Sequence, residues 1–340
     1  MNCVDLNRAA LPIGPHYPWL APLAGFGDLP FRLLCRKYGA AVCVTEMVSA
    51  KGLVHASSGT AALLSTTPED QPLVVQLFGA EAPVLTKAVN MLRASGFVWF
   101  DLNMGCSVPK VLRQGAGAAM LNNAPNALKV ARAIIDAAGP GMVGFKLRLW
   151  PDEPHAPFSK LKDFSLRLQD MGAGWLVLHP RTARQGFEGR ANRDALRELA
   201  ECLSIPLMAS GDLMNARDGM GCLDETGVDG LMYARGALRN PAVFAAHLQL
   251  CRKEPLVPQN VDFLRAMISR HMALARELTQ GKTYLWKIRT ILPRYVRGLP
   301  GARALRDRLC QSDDWHDIEK ALDFFWLTAE NATMPPDDGQ

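Results

Sequence analysis

The chain has 340 residues, of which 49% are hydrophobic and 21% charged, and its net charge is +5. This composition is that of a soluble globular protein, and it excludes a disordered, collagen-like or coiled-coil chain. No apolar run reaches the ~18 residues of a membrane span and no signal-peptide pattern is present, so we expect a cytoplasmic protein without a membrane partner. The eight cysteines include no CxxC pair, so we expect no metal centre.

Eight short apolar runs recur along the chain, each followed by a helical pattern. The predicted strands are Trp19–Ala24, Val42–Glu46, Leu73–Phe78, Val98–Asn103, Met142–Leu147, Trp175–His179, Pro206–Gly211 and Gly230–Ala234. Near-continuous apolar runs are typical of parallel strands that are buried on both faces. Eight βα units in about 230 residues predict an α/β fold, a TIM (β/α)8 barrel. A doubly wound open sheet gives the same pattern and is the alternative.

The composition changes after the eighth unit. Residues 251–261 are polar and contain two prolines, which is typical of a linker. Beyond them no strand pattern recurs. The predicted helices there are Phe263–Leu278, Thr283–Val296, Ala302–Leu309 and Trp315–Thr328. We therefore predict a catalytic domain over residues 1–250 and a small helical domain over residues 262–334.

Two glycine-containing turns end the seventh and eighth predicted strands. They are Ser210-Gly211-Asp212 and Ala234-Arg235-Gly236. TIM barrels carry their chemistry at the carboxyl ends of the strands and often bind a phosphate after strands 7 and 8, on backbone N–H groups. The alternative is that these turns use glycine only for its conformational freedom.

Four polar side chains end other predicted strands and could face a ligand. Lys146 would be costly in a barrel mouth unless it meets an anion such as a reduced flavin, or pairs with an acid such as Glu46. Gln76 suits a planar ring with donor and acceptor edges, or an internal hydrogen bond. His179 and Arg181 point the same way along an extended chain and could contact a cofactor or a substrate. The alternative for His179 is a hydrogen-bonded core histidine.

Cys106 is the one cysteine at the catalytic end of a predicted strand, in the segment Asn103–Lys110. A free loop thiol is mostly protonated at neutral pH and can serve as a general acid. A nucleophilic role would need a histidine base nearby. An incidental loop cysteine is the third interpretation.

The segment from Lys282 to Arg308 contains eight basic residues and one acid. Tyr284, Trp286 and Tyr295 are interleaved with them. Basic residues combined with aromatic ones are typical of a nucleic-acid surface. The alternative is a solvated helix face whose aromatic side chains belong to the core.

Taken together, these motifs resemble those of the tRNA-dihydrouridine synthases over roughly Leu20 to Phe244. The segments that carry the resemblance are Leu20–Gly25, Thr45–Ala50, Asp101–Cys106, Lys146–Arg148, His179–Gly186, Ser210–Asp212 and Arg235–Ala237. The resemblance implies an FMN-bound TIM barrel with a helical tRNA-binding domain. It also implies reduction of the C5–C6 double bond of particular tRNA uridines with NADPH.

The resemblance assigns roles to individual residues. It implies that the flavin is contacted by Pro22, Leu23, Ala24, Gln76, Lys146 and His179, and its ribityl and phosphate groups by Ser210, Gly211, Asp212, Ala234 and Arg235. Cys106 would be the proton donor, and Asn103 and Arg181 would contact the uridine. In the helical domain, we expect Lys287, Arg289 and Arg294 to bind the tRNA backbone.

Several positions depart from the family's pattern, and two of them directly follow predicted site residues. Ser107 follows the cysteine where the family usually has proline, and Pro180 follows His179 where the family commonly has glycine. One alternative function is a flavin-dependent reductase of a small unsaturated molecule, such as a free pyrimidine. Another is a non-catalytic RNA-binding protein or RNA chaperone, against which Cys106 and Lys146 argue. We expect a monomer, because no oligomer interface is recognisable in the sequence.

Overall fold

The computed structural model describes residues 11–150, 159–279 and 283–329, and in these ranges nine parallel strands form one sheet. They are β1 (Trp19–Leu20), β2 (Val42–Val44), β3 (Val48–Ser49), β4 (Leu73–Phe78), β5 (Trp99–Met104), β6 (Val143–Arg148), β7 (Trp175–His179), β8 (Leu207–Ala209) and β9 (Gly230–Tyr233). Because β2 pairs with both β1 and β4, and β1 pairs with β9, eight strands close into a barrel. The predicted TIM barrel is confirmed and the open sheet is excluded.

Helices surround the barrel and continue beyond it. They are α1 (Leu29–Lys37), α2 (Ala50–Val54), α3 (Ser58–Leu63), α4 (Ala82–Ala94), α5 (Pro109–Leu112), α6 (Ala124–Ala138), α7 (Ser159–Asp170), α8 (Arg193–Ala200), α9 (Ala216–Thr226), α10 (Arg235–Arg239), α11 (Val243–Cys251), α12 (Val261–Leu278), α13 (Thr283–Tyr295), α14 (Ala302–Gln311) and α15 (Trp315–Ala329). The last four are C-terminal to the barrel, and α12 packs on α1 while α13 packs on α10. The stretch predicted as a linker lies between α11 and α12.

Side-chain caps fix where several helices begin. Asp28 accepts a hydrogen bond from the Phe31 N–H at the start of α1. Asn215 and Asp218 form a reciprocal capping box at the start of α9, and Asn260 caps α12. Such caps satisfy N–H groups that have no partner within the helix. Since α1 and α9 follow loops at the barrel mouth, their caps also fix the ends of those loops.

The first strand is shorter than the sequence predicts. The run Trp19–Ala24 was expected to be one strand, but β1 ends at Leu20 and its last ladder bond runs from the Ala21 N–H to the Tyr233 carbonyl. Pro22 has no N–H to continue the ladder, and the chain turns, with Gly27 N–H donating to the Leu23 carbonyl. The residues 22–27 therefore form a loop over the barrel mouth.

Aromatic side chains fill the lower part of the barrel. Trp175 lies edge-on to Trp19, with ring centroids 5.6 Å apart, and is also packed against Trp99. Gly144 makes this packing possible, because a Cβ there would lie 2.0 Å from Trp175 Cε2. The plugged interior leaves space for a ligand only at the carboxyl ends of the strands.

Candidate active site

Polar side chains line the barrel above the aromatic plug. Strand register places Gln76 opposite Asp101, Asn103 opposite Lys146, and Arg148 opposite His179. Residues paired across parallel strands point to the same face, so these side chains share the barrel interior. All except Lys146, which is half-buried, are buried.

A chain of hydrogen bonds links a buried carboxylate to the backbone of Cys106. Gln76 Nε2 donates to Asp101 Oδ2 at 2.7 Å, and Asn103 Nδ2 donates to Gln76 Oε1 at 2.9 Å. Asn103 Oδ1 then accepts from the backbone N–H groups of Gly105 and Cys106, at 3.1 and 2.8 Å. Gln76 thus makes the internal bonds considered as an alternative and keeps one N–H for a ligand.

Cys106 lies half-buried in the loop after β5. Its backbone is fixed on both sides, because its N–H donates to Asn103 and its carbonyl accepts from the Ala118 N–H at 3.0 Å. Within the described residues, no histidine is hydrogen-bonded to its thiol. This arrangement favours a positioned proton donor over an activated nucleophile.

Asp101 is a site residue that the sequence analysis did not single out as functional. Burial raises the pKa of its carboxyl to about 7, although the Gln76 N–H and the Lys146 ammonium both act to lower it. Its Oδ1 atom is buried without a hydrogen-bond partner among the described residues. The available signal was its position two residues before Asn103, on the same face of β5.

We expect Asp101→Asn to have a higher free energy of unfolding than the wild type, and we expect this difference to grow as pH rises from 3.8 to about 7. Between pH 3.8 and about 7 the folded protein keeps a proton on Asp101 that the unfolded chain has lost, so stability of the wild type falls as pH rises through this range. Asparagine can still accept from Gln76 and carries no titrating charge. Urea unfolding at several pH values measures the stability difference. A difference that is constant or shrinks with pH would contradict this account, and the exposed Asp136→Asn is the control.

Lys146 lies in the site and interacts electrostatically with Asp101. Among the described residues, its ammonium makes no ion pair within 4.0 Å. Burial lowers the pKa of Lys146 to about 8, and the neighbouring Arg148 adds to the decrease. The alternative pairing with Glu46 is wrong, because Glu46 Oε1 accepts instead from Lys287 Nζ at 3.4 Å. An anionic ligand would relieve the cost of burying this cation.

Arg181 and Asp212 form a two-bond ion pair beside His179. The guanidinium is 1% exposed and donates to both Asp212 oxygens, at 2.8 and 2.7 Å. Its Nε donates to the Glu188 carbonyl at 3.0 Å. Burial opposes ionisation of Asp212, yet hydrogen bonds from Arg181 and the Ala191 N–H hold its pKa below the usual value. The structure therefore gives Arg181 an internal role in fixing the turn after β8, while its contact with a uridine stays a prediction.

His179 is held neutral in this environment. Burial, followed by the charges of Lys146, Arg148, Arg181 and Arg235, lowers its pKa to about 2. A neutral imidazole can donate or accept a hydrogen bond but supplies no cationic acid at neutral pH. His179 therefore does not compete with Cys106 as the proton donor.

The other predicted flavin contacts surround the same opening. Pro22, Leu23 and Ala24 lie in the loop after β1, Ser210 is buried at the end of β8, and Ala234 precedes α10. Arg235 donates to Asp212 Oδ1 at 3.0 Å. The turns after β8 and β9 are thereby joined by a side-chain bond.

Gly211 occupies a position that no other residue fits. Its φ is +109°, and a Cβ there would lie 2.4 Å from His179 Cδ2. We expect Gly211→Ala to lower the melting temperature and the bound FMN content, because strain of about 1–3 kcal/mol adds to the displacement of His179. Gly227→Ala is the matched control. Gly227 also has a positive φ, +66°, but no atom lies within 4 Å of its added Cβ. Equal FMN content in the two variants would contradict this expectation.

Phe187 is an exposed aromatic residue at the mouth that the sequence analysis missed. It is 59% exposed, and the Arg235 guanidinium lies over its ring at 4.4 Å from the centroid. Its ring is 6.0 Å from that of His179. No periodic signal marks such a loop residue, because its neighbours come from distant strands.

The basic segment divides into internal and surface residues. Tyr284 and Tyr295 are buried and hydrogen-bonded to the two ring nitrogens of His271, so the core interpretation is correct for them. Trp286 is 61% exposed, Arg289 is half-buried and Arg294 is exposed beside the Phe26 ring.

Lys287 is ion-paired with Asp28 and Glu46, and Lys282 lies outside the described residues. The described part of the chain contains no group of His, Cys, Asp and Glu side chains arranged for a metal ion. None of its helices has the length and apolar character that crossing a membrane requires.

Comparison with solved structures identifies the barrel but little more. A morphinone reductase variant in complex with tetrahydroNAD matches with a TM-score of 0.51 and 12% identity, over 76% of this chain and 92% of its own. A histamine dehydrogenase from Rhizobium sp. 4-9 also gives a TM-score of 0.51 and 12% identity, over 79% of this chain and 51% of its own. At such identities the likeness shows the fold alone.

Comparison of sequences is more specific. A family model described as dihydrouridine synthase (Dus) matches residues 19–330. A probable tRNA-dihydrouridine synthase 1 of Synechocystis is 32% identical over 316 residues, which cover 91% of this chain and 86% of the relative. The tRNA-dihydrouridine synthase B of Shewanella oneidensis is 32% identical over 262 residues, covering 76% of this chain and 80% of the relative. This chain belongs to the dihydrouridine synthase family.

Proposed function

We propose that this protein is an FMN-dependent tRNA-dihydrouridine synthase that reduces the C5–C6 double bond of particular tRNA uridines, with NADPH as the reductant. The hydrogen-bond chain from Asp101 through Gln76 and Asn103 to Cys106 carries the proposal. It fixes the backbone of Cys106 at the barrel mouth, near Lys146, whose ammonium has no ion pair within the described ranges of the chain. Family membership supports the same reaction.

The residues at the mouth fit a flavin. Lys146 would offer a cation to the electron-rich edge of the ring. Gln76 lies on the same face of the sheet and uses only one of its two amide N–H groups on Asp101. Ser210, Gly211 and Ala234 border the two turns proposed for the ribityl and phosphate groups. When bound and reduced, FMN supplies the hydride that the C6 atom of the uridine needs.

The protein's own part in the reaction is to position the base and supply a proton. Cys106 Sγ donates its proton to uridine C5, so that a hydride and a proton together saturate the double bond. The resulting thiolate regains a proton from water, which reaches the half-exposed loop. His179 would serve as a hydrogen-bonding group, because burial and the neighbouring cations lower its pKa.

We propose that the C-terminal helices bind the tRNA and that residues 262–334 form a second domain, which packs on the catalytic domain of residues 1–250 through α12 and α13. Arg289 and Arg294 would meet phosphates, and the exposed Trp286 offers a surface for base stacking. A uridine within folded tRNA must leave its stack to reach a barrel mouth. A monomeric state and a cytoplasmic location stay predictions.

The test is an assay with purified protein, FMN, NADPH and an unmodified tRNA transcript. Mass spectrometry of nuclease fragments should show a two-hydrogen mass increase at a specific uridine. Free uridine and uracil serve as competing substrates. Reduction of the free pyrimidine without modification of the transcript would overturn the proposal and favour a small-molecule reductase.

A further inference from the structure

Lys287 extends from helix α13 into the mouth of the barrel. Its Nζ donates to Asp28 Oδ2 at 3.0 Å and to Glu46 Oε1 at 3.4 Å. These two ion pairs join a C-terminal helix to residues that lie 259 and 241 positions earlier in the chain. The side chain is 31% exposed, so most of it is removed from any RNA surface.

The two carboxylates that bind Lys287 support the loop over residues 22–28, which is the loop after β1 together with the cap residue of α1. Glu46 supports the middle of this loop and Asp28 forms its end. Glu46 accepts from the Gly25 N–H through its second oxygen, Oε2. Asp28 caps helix α1 through its other oxygen, Oδ1, which also accepts from the Tyr284 hydroxyl at 3.5 Å. We propose that this loop lines the flavin. Lys287 of α13 binds both carboxylates that hold the loop in place, those of Asp28 and Glu46.

Lys287 supplies the cation that offsets part of the charge of these two carboxylates. Glu46 is 7% exposed and the Asp28 side chain 15%, so two acids would otherwise face each other in a poorly solvated place. Burial alone would lower the pKa of Lys287, but the two carboxylates outweigh burial and raise it. Removing one partner from such a buried cluster leaves uncompensated charge.

We propose that Lys287 is a positioning residue that couples the C-terminal helices to the loop over residues 22–28, and that it is not a contact for tRNA phosphate. Its use in catalysis rests on the proposed function, but its effect on the loop does not. Movement of α13 on RNA binding would pass through Lys287 to Glu46 and Gly25.

The first experiment measures amide hydrogen exchange in the protein without FMN or tRNA. We expect Lys287→Met to raise the exchange rate of the Gly25 amide and its neighbours by about tenfold or more, because the Glu46 acceptor loses its anchor. Arg289→Met, two residues along the same helix and therefore on a different face, should leave these amides unchanged. Unchanged protection in Lys287→Met would overturn the proposal, whatever the substrate of the enzyme.

The second experiment separates coupling from RNA contact. Each phosphate contact that is lost should reduce the slope of log Kd against log salt for tRNA by roughly 0.7–0.9. We expect Arg289→Met to show this reduction. Lys287→Met should keep the wild-type slope but weaken FMN binding by about threefold or more. A threefold change corresponds to about 0.7 kcal/mol of binding free energy, which we attribute to the cost of ordering the loop. A reduced slope with unchanged FMN affinity in Lys287→Met would overturn the proposal.

A double-mutant comparison completes the test. Glu46→Gln should loosen the same amides, and the double variant with Lys287→Met should be no worse than the more affected single variant. Lys287→Arg should restore protection, since it keeps the charge. If the wild type did not bind tRNA, the proposed function would be refuted. The hydrogen-exchange experiment would still test whether Lys287 positions the loop, because it needs neither FMN nor tRNA.

Discussion

Dihydrouridine formation is expected to fall by about 10²- to 10⁴-fold in Cys106→Ala, while FMN stays bound and is still reduced by NADPH. The alanine has no proton to give to uridine C5. The loop should keep its shape, because Asn103 binds the backbone N–H of residue 106 and not its side chain. Single-turnover assays on reduced enzyme measure the loss, and flavin absorbance measures NADPH oxidation separately.

A second thiol provides the control for this variant. Cys202 is also half-buried, and its Sγ donates to the Glu198 carbonyl within α8, away from the barrel mouth. Cys202→Ala should therefore retain full activity. If Cys106→Ala turned over tRNA as fast as the wild type, the thiol would not be the proton donor.

Asp70→Ala is expected to lower the free energy of unfolding by about 3–5 kcal/mol. Asp70 is 0% exposed and binds Arg32, which is 1% exposed, at 2.8 Å. Arg32 also donates to the Gly27 and Ser65 carbonyls, at 2.8 and 2.6 Å. Without the carboxylate a buried guanidinium loses its counter-charge, and the loop that ends at Gly27 loses its support.

Chemical denaturation of the protein without FMN measures this loss. Asp136→Ala is the matched control, because its partner Arg132 lies 3.7 Å away on an exposed helix face. An exposed pair contributes about 0–1 kcal/mol, so this variant should unfold nearly as the wild type does. Equal destabilisation of the two variants would mean that burial of the Arg32 pair has no energetic consequence.

Strand positions could be predicted well where local pattern decides them. The predicted bounds of β4 and β7, Leu73–Phe78 and Trp175–His179, are those of the structure, because each is a buried apolar run. The sequence does contain a signal for the early end of β1, since Pro22 has no N–H for the ladder, but the predicted strand Trp19–Ala24 extends past it. Closure could not be predicted, because the pairing of β2 with β4 is a long-range contact that leaves no periodic signal.

In the candidate site, local sequence pattern predicts the positions of the polar residues but not their hydrogen-bond partners. A two-residue period and the barrel rule place Gln76, Asn103 and Lys146 at the mouth without knowledge of any contact. The sequence could not show which polar group binds which. Pairing of Glu46 with Lys287 depends on how α13 packs across the barrel, and packing of that kind is settled by the whole fold.

Mapping dihydrouridine in tRNA from cells with and without this gene tests the proposed activity in the cell. We expect dihydrouridine to disappear from one or more specific positions in cells without the gene. It should return with the wild-type gene and fail to return with Cys106→Ala. An unchanged map in cells without the gene, in the absence of a second enzyme that modifies the same positions, would contradict the account.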